Sequence, residues 1–144
     1  MKFILLFSFL LAAFYTNAQK YVLLDKRIAQ PVTYSNTITS ADRFNGLFPV
    51  EKNSMKQFVN ALEEIAKMLS VSGTMPKPKN YQIGCAKFTG HIVQLGTGER
   101  LDYVITSTCD NIKISMHLSD AKLRNASNAY FINTWISYIK SAGK

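Results

Sequence analysis

The sequence predicts an α+β domain in which an antiparallel sheet carries two helices on one face. Three observations predict it. Two segments, about 54–69 and 125–141, repeat apolar residues at three- and four-residue spacing, the period of a helix with one buried face. Between them, residues 81–118 alternate apolar and polar and are broken by short turn signals, as an antiparallel meander requires. Ahead of the first helix lie short β-prone strands, so strands and helices are segregated along the chain.

Tyr21–Leu24 (YVLL) is a short apolar run, and Val32–Thr39 (VTYSNTIT) alternates and is rich in β-branched residues; both read as strands. Asn45-Gly46, between Phe44 and Leu47, has the form of a two-residue hairpin turn, because both residues tolerate positive φ. Pro49 lacks an amide donor, which places the return segment Leu47–Val50 at a sheet edge. Ser54-Met-Lys-Gln57 has capping-box form and opens the first helix. Met55, Phe58, Val59, Leu62, Ile65, Ala66 and Leu69 form its apolar stripe, with Glu63 and Lys67 spaced for an i,i+4 ion pair on the other side. Gly73, Pro76 and Pro78 end it.

In the meander, Asp110-Asn111 reads as a two-residue turn that pairs Ser107 with Ile114, Ile105 with Met116 and Tyr103 with Leu118. This register gathers Tyr103, Ile105, Cys109, Ile112, Ile114, Met116 and Leu118 on one face. It leaves Asp102, Thr106, Thr108, Lys113, Ser115 and His117 on the other, with Val104 the exception. The preceding hairpin turns at Gly96-Thr97-Gly98, and a three-residue loop sets Leu95 opposite Glu99. Counting back along both strands then brings Cys85 opposite Cys109, unless a bulge at Thr89-Gly90 interrupts the ladder. The final helix presents Phe131, Ile132, Trp135, Ile136 and Ile139 on one stripe, with Trp135 as a core anchor.

Residues 1–18 have the three-part pattern of a cleavable secretory signal peptide. Lys2 is followed by the apolar run Phe3–Tyr15, then Thr16-Asn17-Ala18 offers small residues before Gln19. The run is shorter than the roughly 20 residues that span a bilayer, and no cysteine follows it to take a lipid. The expectation is therefore an exported protein, secreted or periplasmic, with residues 19–144 forming a single domain and no membrane anchor after cleavage. An even cysteine count in that setting reads as a Cys85–Cys109 disulfide. Closing a loop of this length contributes about 3.5 kcal/mol on chain-entropy grounds.

Cleavage removes one of the 17 Lys and Arg residues and none of the 9 Asp and Glu, taking the formal charge from +8 to +7. The cations are scattered, and no basic stripe suggests nucleic acid. The charge serves solubility or a loose attraction to an anionic ligand, whether glycan, lipid headgroup or acidic protein.

Catalytic chemistry has few handholds. His117 and Asp102 fall diagonally on the polar sheet face, the seed of a general-base pair. The hydroxyls nearby, Thr106, Ser115 and Ser119, are ordinary sheet residues outside any nucleophile elbow. His91 has no evident partner, and no acidic or histidine cluster has metal-ligand spacing. Gly96 and Gly98 join two strands and lack the helix that a phosphate cradle needs. Asn125-Ala-Ser127 is a glycosylation sequon in a eukaryotic setting alone.

A helix followed by four antiparallel strands resembles the core plan of cystatin-like domains, whose inhibitors carry Gln-x-Val-x-Gly in their first hairpin loop. The matching loop here is Gln94-Leu-Gly-Thr-Gly98. Gly96 stands where the valine belongs and a second helix follows, so the resemblance is one of shape. The sequence thus points to an exported binding or interaction module without catalysis or cofactor, engaging an unknown protein or anionic ligand. The alternatives are a secreted hydrolase using His117 and Asp102, or an inhibitor or immunity-type protein acting through the Gln94–Gly98 loop.

Overall fold

The computed structural model describes residues 19–25, 33–70, 75–96, 98–119 and 126–142. The signal-peptide assignment over residues 1–18, Asn125 of the sequon, and the side chains of Ser127, Phe131 and Ser119 lie outside what it describes.

The fold is α+β, with antiparallel sheets and helices packed on one face. Strands β1 (Tyr21–Asp25), β2 (Thr33–Ser35) and β3 (Leu47–Glu51) form one sheet in the order β2-β1-β3. Strands β4 (Tyr81–Ile83), β5 (Ala86–Leu95), β6 (Gly98–Ser107) and β7 (Ile114–Ser119) form a second, β4-β5-β6-β7. The N-terminal strands therefore make their own sheet. Pro49 sits on β3, an edge strand, as its missing amide demands.

Helices α2 (Met55–Ser70) and α3 (Ala126–Ala142) close over both sheets. Phe58, Leu62 and Ile65 of α2 meet Phe88, Tyr103 and Ile105 of the larger sheet, and Phe48 and Val50 of the smaller one. Trp135 of α3 is buried against Phe48 and Phe58, and its indole N–H donates to the Asp25 carbonyl at 3.1 Å. That donor–acceptor pair lets a large aromatic residue enter the core without an orphaned polar group. Strand β1 is buried on both faces, which explains its unbroken apolar run. Val22 and Leu24 join this core, while Tyr21 and Leu23 pack with Ile38 and Cys109 on the far side.

Several local expectations need correction. Asn45-Gly46 is no hairpin turn: Ser40–Phe44 is a short helix, α1, and Asn45 is its C-cap. Gly46, at φ 75°, donates its amide to the Arg43 carbonyl at 3.1 Å, which is a left-handed helix stop. The strand read over residues 32–39 is confined to β2, because Thr39 caps α1. The Asp42 amide donates to the Thr39 hydroxyl, and the Asp42 carboxylate accepts from the Thr39 amide at 2.7 Å, a capping box. Ser54 directly precedes Met55, the first residue of α2, and is also the last residue of a 3-10 turn, Lys52–Ser54, that leads into the helix. Glu63 reaches across to Lys140 of α3 at 2.6 Å, where an i,i+4 pair with Lys67 was expected.

Candidate functional site

The second sheet positions the sequence-predicted site residues, and its registers decide which of them meet. Asp110 and Asn111 both adopt positive φ (49° and 61°), as the expected turn needs, but they sit in a 3-10 turn, Cys109–Asn111, and the β6–β7 ladder closes at Ser107–Ile114. Ser107 faces Ile114, Ile105 faces Met116 and Tyr103 faces Leu118, as the sequence predicts. The β5–β6 hairpin differs by one residue. Leu95 pairs with Gly98 and Gln94 with Glu99, a two-residue loop in which Gly96 takes φ 49°.

Nor does Thr89-Gly90 form a bulge, since the ladder runs unbroken from Ala86–Ser107 to Leu95–Gly98. Gly90 serves a close approach instead. A Cβ there would stand 2.7 Å from the Tyr103 ring and 2.6 Å from Pro78. The ring crosses this gap so that its hydroxyl donates to the Lys79 carbonyl and accepts from the Lys79 amide, each at 3.0 Å.

Cys85 and Cys109 are disulfide-bonded with Cα atoms 5.3 Å apart, by a route other than a cross-strand pair. Residues expected to continue one long strand instead fold back at Gly84-Cys85, joining β4 to β5. Gly84 supplies the positive φ, 54°, and the turn delivers Cys85 to the 3-10 turn Cys109–Asn111. Asp110, in that turn, accepts from the Tyr21 hydroxyl at 2.6 Å and from the Ile38 amide at 2.9 Å. These two donors hold its carboxyl below the usual carboxylate range. The same bond, added to burial, pushes the Tyr21 hydroxyl up.

Asp102 and His117 lie on the outer sheet face, diagonal across β6 and β7, with His117 opposite Val104. They do not form an acid–base pair. The Asp102 carboxylate is held by Arg100 in a bidentate contact, Nε at 2.7 Å and Nη2 at 2.6 Å. This interaction pushes the Arg100 guanidinium pKa up further. His91 lies directly opposite Asp102, which the one-residue change of register produces, since the expected register faced it toward Tyr103. Thr106 and Ser115 pair with each other across the strands at 3.5 Å. Among the described residues no group of three or more His, Cys, Asp or Glu could hold a metal ion. None of the described helices is long and apolar enough to cross a membrane.

The strand lengths create the more distinctive feature. Among the described residues, β4 accompanies β5 to Phe88, and β7 accompanies β6 to Asp102. Beyond them, Ile92–Leu95 and Gly98–Leu101 pair with each other and with no other described strand, a two-stranded arm with only Leu101 fully buried. Gln94, Gly96 and Gly98 lie at its end, and the Gln94 amide donates to the Glu99 carboxylate at 2.7 Å. Ile92 and Leu95, 38% and 37% exposed, are two of the three large hydrophobic residues exposed among those described. Sequence reading missed them because one long strand over 81–95 hides where support ends. The glycine at position 84 was the available signal for the earlier turn.

No protein-family model matches the chain, and neither a curated protein nor a solved structure matches it.

Proposed function

We propose that this is an exported binding domain without catalysis, which engages a protein partner through the β5–β6 arm. The observation that carries the reading is the arm itself: a two-stranded ribbon past the edge of its sheet, with Ile92 and Leu95 exposed. Isolated hairpins are marginal in water, so an arm of this kind gains order and buries apolar surface when a partner covers it. Engagement of Asp102 by Arg100 favours binding over the hydrolase alternative, because the carboxylate that would orient His117 is already occupied. Export is supported by the leader-like residues 1–18 and by the Cys85–Cys109 disulfide, which persists in oxidising compartments.

A photo-crosslinking phenylalanine analogue at Leu95, introduced in the source organism, should give one discrete adduct in the exported fraction. The same probe at Lys87, on the supported half of β5, should give none. No adduct at Leu95, or one that persists in an Ile92→Ser background, would sink the arm as the contact surface. Export is checked separately by the mass of the recovered protein, which should begin at Gln19 and gain two hydrogens on reduction.

A further inference from the structure

Helix α1 buries none of its five residues, yet it is fixed at both ends. The Thr39–Asp42 capping box sets its start, and Asn45 and Gly46 set its stop. So held, it turns Phe44 outward to 90% exposure, by far the highest among the described large hydrophobic residues. Burial does not explain this helix, and its orientation is set by caps.

Phe44 lines the rim of a cleft between α1 and the β6–β7 turn, together with Arg43, Asn111, Ile112 and Lys113. A second cleft along β7 shares Arg43 and Lys113. Among the described residues, no acidic side chain lines either cleft. Neither cation has an ion-pair partner among the described residues. The nearest carboxylates are spent internally. Asp42 accepts from the Thr39 amide and hydroxyl, and Asp110 accepts from Tyr21 and Ile38 and forms an ion pair with Lys20.

We infer that this corner of the molecule docks on an anionic phospholipid surface, with Phe44 entering the interface and Arg43 and Lys113 meeting lipid phosphates. Charge complementarity selects an anionic partner, and the shape of the apolar element selects a bilayer. Phe44 stands at the rim of the cleft and projects from it with 90% of its surface exposed, which suits insertion into a deformable apolar medium. Arginine and lysine beside an interfacial apolar residue combine electrostatic attraction with shallow insertion. The attachment is peripheral and reversible, because one aromatic ring and two cations fall well short of an anchor.

The test is co-sedimentation of the purified, oxidised protein with vesicles of phosphatidylglycerol and phosphatidylcholine in equal parts, against vesicles of phosphatidylcholine alone. Binding should require the anionic lipid and fall as salt rises. Phe44→Ser leaves the charge unchanged and should weaken partitioning about tenfold. Arg43→Glu with Lys113→Glu should abolish it, since each cation near the surface contributes roughly fivefold. Lys56→Glu with Lys67→Glu on α2 makes the same change in net charge and should cost far less. All variants should melt with the parent, because the replaced side chains lie outside the core. Equal losses in the two charge-reversed pairs would reduce the effect to net charge and overturn the proposal, as would unchanged binding of Phe44→Ser. Binding of the parent to an acidic peptide, with none to anionic vesicles, would assign the cleft to a protein and also overturn it.

Discussion

Strand β6 has two ends that differ in everything but backbone conformation. At its C-terminal end, Ser107 donates to the Pro49 carbonyl, Cys109 is bonded to Cys85, and Asp110 gathers donors from β1 and from the segment before α1. At its N-terminal end, Gly98 and Glu99 are exposed and, among the described residues, are paired with β5 alone. One strand thus carries a tied end, where the two sheets are joined, and a free end, where only a ribbon continues. A single strand can be a structural junction at one end and a two-stranded ribbon at the other where its described neighbours end before it does.

The largest effect expected from breaking this contrast lies at the tied end. Replacing Cys85 and Cys109 together by serine should lower unfolding free energy by about 2–4 kcal/mol in chemical denaturation. The midpoint of the parent should fall similarly under reductant. Next comes Gly90, where the supported half of β5 gives way to the arm. Gly90→Ala should cost about 1–3 kcal/mol, since the added methyl meets the Tyr103 ring and Pro78.

Asp110→Asn acts on the same junction through pH. The folded carboxyl ionises below its ordinary range. Its contribution to stability is therefore complete above the unfolded value near 3.9 and is lost as pH falls toward the folded pKa. The parent should lose stability more steeply than Asp110→Asn on acidification below about pH 4, measured by denaturation across that range. The smallest effect belongs to the free end. Ile92→Ser, Leu95→Ser and Gly98→Ala should each change stability by no more than about 0.5 kcal/mol. A larger loss at any of these would mean the arm is part of the fold's support and not free of it.

What the sequence reveals divides along the same line. The β6–β7 register is legible because Asp110-Asn111 is the sole turn signal there and a slip would turn Tyr103, Ile105 and Ile114 to solvent. The β5–β6 register is not, because Gly96 and Gly98 can each occupy the left-handed position, and polar residues toward the tip make a one-residue slip inexpensive. Asn45-Gly46 shows a related ambiguity. Positive φ suits both a hairpin and a helix stop, and the decision lies in Thr39-Ser-Ala-Asp42 upstream, whose capping form outweighs the β-branched residues before it. The helices and their buried stripes were fully legible at Phe58, Leu62, Ile65, Trp135 and Ile139. The arm was not, because its character depends on where β4 and β7 stop. The exposure of Phe44 was hidden in the same way, since reading it beside a hairpin gives no account of a helix that buries nothing.

The disulfide has a topological consequence for the arm. Cys85 precedes β5 and Cys109 follows β6, so the whole hairpin lies within one covalent ring. A protease that cuts at the exposed Gly96–Gly98 tip would open the ring without releasing either piece. The nicked molecule would travel as one chain until reduced, and then separate in two. Cut by a protease there, the protein could lose the continuity of this loop and still keep both of its strands in place.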